Sequence, residues 1–515
     1  MVPISRLKSA RGKVLSLDEL SAAAAKARAA GHRVVHCHGV FDLLHIGHIR
    51  HFQAARAMGD LLLVTVSPDR FVHKGPHRPC FNEDLRAEAV AALDCVDFAA
   101  VNRWPTAVEA IRMIRPDLYV KGSDYRRAKD DATGGIRREK EAVRSAGGRL
   151  AFTDDLVFSS SSLINKNLPL FPPAVQEYLE GFRRRRGLSA ALKPLEEARQ
   201  LKVLVVGEAI VDEYVYCAAI GKSSKEPTLV VRQLHREPFA GGILAVANHV
   251  AGLGAKVRLV SFLGERNSRL GFIQDKLRPN VRPCFLYRAD SPTIVKRRYV
   301  EQYHFTKLLE VYEINDALMD ERDGRALRAV LERELPRHDA VIVVDYGHGM
   351  LEDKTIELIC RKARYLAVNA QSNAGNIGYH TIDRYRRADL ACLTENELRM
   401  EARDRRGDLR RLIPAFSRRT GFKRLIVTRG NNGCLAYDRR EGFVEIPAFA
   451  GHVQDRVGAG DAFLSMAALY DRLGAPLEVT GFIGNAAGAQ AVATVGHRDF
   501  LDKATLLKHV ESLLK

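Results

Sequence analysis

Residues 33–67, RVVHCHGVFDLLHIGHIRHFQAARAMGDLLLVTVS, decide the fold. Apolar runs at Val34–Cys37 and Leu61–Val66 flank a segment with helical spacing, the pattern of a strand, a loop, a helix and a second, parallel strand. Helix-then-strand pairs recur over Leu85–Ala100, Ala107–Lys121 and Lys140–Phe152. Alternation of this kind predicts a parallel sheet with helices on both faces. A second series opens with KVLVVGEAIVDEYVY at Lys202, passes through Val341–Gly347 and Arg424–Gly430, and ends in the helical stretch Gly460–Val495. No repeat relates the two series, so the expected class is α/β with two different domains, over 30–166 and 201–515. An N-terminal extension (1–29) and a linker with helical segments (167–200) complete the chain; the linker carries Pro169, Pro172, Pro173 and the run Arg183–Arg186.

The 515 residues are 46% apolar and 28% charged, which excludes a disordered or collagenous chain and leaves room for two or three cores. Lys and Arg exceed Asp and Glu by 80 to 62, a net charge of +18 that suits nucleic acid, an anionic membrane surface or phosphorylated small substrates. Against nucleic acid, there is no helix-turn-helix, zinc-finger or RNP signal, and the aromatics do not interleave with Arg183–Arg186, a run that reads as a solvated helix face or a contact between domains. No stretch approaches the roughly 20 apolar residues needed to cross a bilayer, and the N-terminus lacks a signal-peptide core, so a cytoplasmic protein is expected. The eight cysteines form no CxxC pair and read as reduced thiols, with no metal cage implied.

Gly39-Val40-Phe41-Asp42-Leu43-Leu44-His45-Ile46-Gly47-His48 places two imidazoles three residues apart at the opening of a helix. Both rings then face one bound phosphate, and with the unpaired helix amides they stabilise charge developing on an α-phosphate as pyrophosphate leaves. Gly47 lets the triphosphate come close. The segment resembles the GxFDxxHxGH signature of the cytidylyltransferase-like nucleotidyltransferases, and over about residues 30–166 it is most similar to the nucleotidyltransferase half of the bifunctional ADP-heptose synthesis enzymes. The resemblance implies a Rossmann-like domain in which His45 and His48 stabilise the transition state and Lys74 holds the triphosphate. It also implies nucleotide contacts from the motif residues Gly39, Phe41, Asp42 and Gly47. Lys121 and Asp124, in the VKG-x-DY segment that ends at Tyr125, lie near nucleotide or sugar, and Ser160, Ser161 and Ser162 bind phosphate at another helix start.

Near the C-terminus, Asp455-Arg456-Val457-Gly458-Ala459-Gly460-Asp461 precedes an apolar helix. Small residues admit a phosphoryl group to the helix amides, and Asp461 can accept the proton of an attacking hydroxyl. From about Lys202 onward the chain resembles the ribokinase-like (PfkB) carbohydrate kinases, with GAGD as the catalytic signature. That resemblance implies an anion hole at Gly458, Ala459 and Gly460, an ATP side formed by Thr428, Gly430 and Asn485, and sugar contacts from Asp212, Gly241, Gly242 and Asn248. Asn396 belongs to the Asn-x-x-Glu that organises Mg²⁺ waters in the family, but its glutamate is replaced by Arg399. Arg456-Val457 stands for the usual Thr-Thr or Val-Thr, and Asn369–Leu390 is an unusual segment where a short connection is expected.

A sugar kinase and a sugar-phosphate nucleotidyltransferase form a chemically consistent pair whose product is a nucleotide-activated sugar. The chain looks like an ADP-heptose enzyme with its halves exchanged. The expected cofactors are Mg²⁺ and ATP, or CTP in the transferase, and the expected partners are sugars, sugar phosphates and nucleoside triphosphates, with no nucleic acid and no membrane, and a homodimer through the kinase-like half. The alternative is an active nucleotidyltransferase whose C-terminal half only binds sugar phosphate or dimerises, which Arg399 and Arg456 motivate; in a third reading the transferase moves the cytidylyl group of CTP to an alcohol phosphate and releases pyrophosphate.

Overall fold

The structure is a computed structural model and describes residues 10–72, 78–122, 135–153 and 171–514. The chain divides between Leu170 and Phe171 into two compact units.

The first unit is built on five parallel strands, β1 (Val34–Gly39), β2 (Leu61–Val66), β3 (Phe98–Val101), β4 (Leu118–Lys121) and β5 (Arg149–Phe152), in the order β3-β2-β1-β4-β5. Because side chains alternate along a strand, Val35, Cys37, Leu62 and Val64 pack under the helices Ile46–Arg56 and Glu83–Ala91 on one face. Val34 and Leu63 face the helices Leu17–Ala29 and Val108–Ile114 on the other. Local signals set the helix starts. Ser16 and Glu19 form a capping box, and Asn82 accepts from the Leu85 amide at 2.9 Å. The reversal of strand order beside β1 leaves a crevice at the carboxyl ends of β1 and β4, where ligands bind in open α/β sheets.

The second unit contains β6 (Lys202–Gly207), β7 (Ala209–Lys222), β8 (Leu229–Gly242), β9 (Lys256–Arg266), β10 (Val281–Pro292), β11 (Ile294–Glu301), β12 (Thr306–Glu313), β13 (Ala340–Asp345), β14 (Leu366–Ala370), β15 (Leu390–Thr394), β16 (Arg424–Thr428), β17 (Cys434–Asp438) and β18 (Gly442–Ile446). Nine of them form one sheet in the order β10-β9-β6-β13-β14-β15-β16-β17-β18, parallel except for the β16-β17-β18 meander. β13 reads Ala-Val-Ile-Val-Val-Asp and is buried throughout, the unbroken apolar run of a strand covered on both faces. The sequence did not announce the second sheet, a four-stranded one in the order β12-β11-β7-β8. Its outer part leaves Ile220, Leu229, Leu234 and Leu309 exposed, while its inner residues Tyr214, Phe239 and Val300 are buried.

Part of the stretch expected as a linker belongs to this unit. The helix Pro173–Glu197 starts at Pro172-Pro173 and breaks at Gly187, whose φ is 72°. Phe182 stacks on Phe482 with centroids 4.3 Å apart, and the Tyr470 hydroxyl donates to the Ala191 carbonyl at 2.6 Å. Within the basic run, Arg185 and Arg186 donate to the buried carboxylate of Glu478 at 2.6 and 3.0 Å. Of the eight cysteines, all are free, and Cys80 is exposed rather than in the core.

Candidate active sites

In the first unit the chain leaves β1 at Gly39 and reaches the helix Ile46–Arg56 through a tight loop in which Phe41 and Leu43 have positive φ, 48° and 54°. Non-glycine residues in that region are strained and mark functional loops. A Cβ at Gly39 would meet the Phe41 ring at 2.8 Å, which explains the glycine. His45 caps the helix, its Nδ1 accepting from the Gly47 amide at 3.1 Å. That bond leaves the ring proton on Nε2, and partial burial holds the His45 pKa below the ordinary value, so the ring is a neutral donor. His48 stacks on His45 with centroids 4.0 Å apart and meets the edge of Phe41 at 5.5 Å. The two imidazoles therefore form one surface at a helix N-terminus.

Asp42 is buried, and its carboxylate accepts from the amides of Cys80 (2.8 and 3.0 Å) and Phe81 (3.3 Å). These bonds brace the loop at Asp42 against Cys80 and Phe81. Lys121 ends β4 and pairs with Glu139 at 3.2 Å. Lys74, Asp124 and Ser160–Ser162 lie outside the described residues. Sequence reasoning missed Arg86, which is buried and donates to the carbonyls of Val40 (2.5 Å), Ser67 (2.8 Å) and Phe81 (2.9 Å) and to Asp69. Its trace was an arginine four residues before Val90, on the apolar face of its helix. Also missed was the chain His36, Thr65, His38 and Ser67 beside β1, in which both rings contact the Thr65 hydroxyl at 2.8 Å and burial keeps both neutral.

In the second unit a cleft of about 320 Å³ opens beside the helix Ala459–Arg472. Gly458 stands at its N-terminus with φ 84°, no side chain caps the helix, and the first amides are left for a ligand. Asp461 lines the cleft with Asp212, Gly242, Lys296, Arg298, Thr428 and His497. Desolvation, reinforced by the Asp212 charge, pushes the Asp461 carboxyl up to about 7 although Tyr346 and Lys296 pull it down. Asp212 pairs with Arg298 and lies 3.6 Å from His497. A Cβ at Gly241 would collide with Asp212, so the glycine is needed for close approach.

Other expected residues are placed differently. Asn248 is fully buried, its side-chain amide bonds the Lys276 carbonyl (3.0 Å) and the Arg278 amide (2.9 Å), and it is not among the residues that line the cleft. Asn485 donates weakly to the Cys434 sulfur and the Ile446 carbonyl, behind the cleft lining. Gly430 starts the turn after β16 with φ 56°. Asn396 lies in the first turn of a helix whose capping box is Thr394 and Glu397, and Glu397 rather than Asn396 reaches the cleft. Arg399 is held by Glu395 and the Gly407 carbonyl, away from it. Among the described residues no group of three or more His, Cys, Asp or Glu could hold a metal ion.

Residues 200–504 match the pfkB family of carbohydrate kinases and residues 36–167 the cytidylyltransferase-like family. The chain is 39% identical over 164 residues to the bifunctional protein HldE of Geobacter sulfurreducens, covering 31% of this chain and 32% of that one. It is 40% identical over 158 residues to HldE of Methylobacillus flagellatus, covering 30% and 31%. These matches span about a third of the relatives' own length. Among solved structures, Escherichia coli phosphofructokinase-2 in complex with potassium superimposes with a TM-score of 0.49 at 18% identity, over 61% of this chain and 99% of that one. Ribokinase from Thermotoga maritima does so with a TM-score of 0.46 at 16% identity, over 61% and 99%. No helix of the described residues is long and apolar enough to cross a membrane.

Proposed function

Since this chain belongs to the pfkB family of carbohydrate kinases and carries a cytidylyltransferase-like domain ahead of it, we propose that it makes a nucleotide-activated sugar by two successive transfers. The observation that carries the reading is the placing of reactive side chains at a helix N-terminus in two unlike folds, His45 as the cap and His48 in the first turn in one unit, and Asp461 in the first turn of an uncapped helix in the other.

In the kinase unit Asp461 takes the proton of a sugar hydroxyl as that oxygen attacks the γ-phosphorus of ATP and the bond to ADP breaks. Amides at Gly458, Ala459 and Gly460 receive the developing negative charge, Asp212 and Gly242 seat the sugar, and Thr428 and Gly430 border the nucleotide. Mg²⁺, when bound, would neutralise phosphate charge, and Glu397, a carboxylate that lines the cleft, would help to hold it. In the transferase unit a sugar 1-phosphate oxygen attacks the α-phosphorus of ATP, or of CTP, and pyrophosphate leaves. The Nε2–H of His45 and the His48 ring donate to the α-phosphate oxygens, and Lys74, Lys121, Asp124 and Ser160–Ser162 are the residues that the likeness assigns to binding the triphosphate or sugar. An ADP-heptose-like product is the specific form of this reading, supported by the likeness to HldE proteins.

Two features support an active kinase over one that only binds sugar phosphate. Arg399, which had suggested degeneracy, is tied up outside the cleft, and Arg456 lines it as a cation suited to a phosphate. The exposed apolar residues of the four-stranded sheet support a homodimer through this unit.

Release of ADP and of pyrophosphate, measured across a panel of sugars, sugar phosphates and nucleoside triphosphates, tests the proposal. His48→Ala is expected to abolish pyrophosphate release and spare the kinase; Asp461→Asn does the reverse. If either change silences both reactions in a folded protein, two independent sites are the wrong picture.

A further inference from the structure

Asp461 is held by a residue 115 positions away in sequence: the Tyr346 hydroxyl donates to its Oδ1 at 3.0 Å. Tyr346 is buried, and its backbone is fixed on both sides. Its amide donates to Glu208 Oε2 at 3.0 Å, and its carbonyl accepts from Asn373 Nδ2 at 2.8 Å and Asn376 Nδ2 at 3.0 Å. The preceding carbonyl, that of Asp345, accepts from His380 Nε2 at 3.1 Å, and the Asp345 carboxylate accepts from the Tyr385 hydroxyl at 3.0 Å. Gly347, at φ 68°, lies so close under His380 that a Cβ there would meet the ring at 2.7 Å. Asn373, Asn376, His380 and Tyr385 all belong to Asn369–Leu390, the segment that stands where a short connection was expected.

We propose that Tyr346 is a positioning residue for the phosphoryl-transfer base, and that the Asn369–Leu390 segment serves in this chain to lock it in place. The proposal rests on the reading of Asp461 as that base. A phenol bound to Oδ1 fixes the carboxylate plane and leaves Oδ2 for the incoming hydroxyl. It also stabilises the charged form, the one that can accept a proton. The ionisable groups that line the cleft with Asp461 are Asp212 on β7, Lys296 and Arg298 on β11, Tyr346 after β13, Cys392 on β15, Glu397, Arg456 and His497. Asp212 and burial raise its proton affinity, whereas Tyr346 and Lys296 lower it.

The midpoint measurement needs no acceptor sugar. Infrared spectra of the full chain are taken across pH, and the carboxyl stretch present in the wild type but absent from Asp461→Asn reports this one group. A hydrogen bond to a charged partner is expected to move the midpoint by about one to two pH units, so Tyr346→Phe shifts it upward by that amount. The pair Asn373→Ala with Asn376→Ala, which frees the Tyr346 carbonyl, shifts it upward by less and decides the matter if Tyr346→Phe does not fold. An unmoved midpoint in the folded variant overturns the proposal, since a tyrosine that merely fills space would leave it unchanged. Retained ADP formation by Asp461→Asn sinks the base reading itself; its loss together with an unmoved midpoint removes only the role of Tyr346.

Discussion

Replacing Gly458 with alanine asks whether the anion site of the kinase unit depends on close packing. Gly458 adopts φ 84°, and a Cβ there would land on the His497 ring. A side chain in the left-handed region costs about 1–2 kcal/mol, and forcing a methyl into a filled site costs about 1–3 kcal/mol more. The second unit is therefore expected to lose about 2–5 kcal/mol of stability in denaturant titrations. Relief of the overlap requires the turn to move, which misaims the amides ahead of Asp461, and one lost donor of this kind lowers kcat by about 10²–10³. ADP formation should fall by that factor while pyrophosphate release, in the other unit, stays at its wild-type rate. Adding His497→Ala removes the obstacle, so the double variant should lose about 1–3 kcal/mol less than the two single losses summed. Wild-type turnover in Gly458→Ala, or strictly additive losses in the double variant, would refute the reasoning.

Kinase rates should fall as pH drops through about 7, because burial holds the Asp461 proton to that pH and the acid form accepts nothing. The same shift has a sign for stability. The folded pKa lies above the unfolded value of 3.8, so the charged group destabilises the fold progressively as pH rises from about 4, fully so above about 7, and Asp461→Asn should melt higher than wild type at pH 8 but not at pH 4. Arg86→Met leaves three carbonyls without their buried donor and should cost the first unit about 3–5 kcal/mol in denaturant titrations, with pyrophosphate release falling because Val40 precedes the histidine loop. Leu229→Glu with Leu309→Glu should halve the mass measured by light scattering if the exposed sheet face joins two copies; an unchanged mass removes that interface.

What the residues disclosed by themselves were the parts of each site confined to one strand, loop and helix. Gly39 to His48 and Gly458 to Asp461 are each contiguous, so backbone geometry alone brings their groups to one helix end. Unbroken apolar runs such as β13 likewise announced the parallel sheets. The four-stranded sheet escaped notice because the outer ends of its long strands are exposed and mix apolar with polar residues, so burial leaves no periodic mark there.

Tertiary structure decided every pairing between distant segments. Asp212 with Arg298, Asp461 with Tyr346, and Glu478 with Arg185 and Arg186 join residues 86, 115 and more than 290 positions apart, and nothing local in the sequence specifies such partners. The same reason ties Asn248 to Lys276 and Arg278: an amide pattern along one helix states what a side chain can bond, whereas the packing against it decides what it does bond.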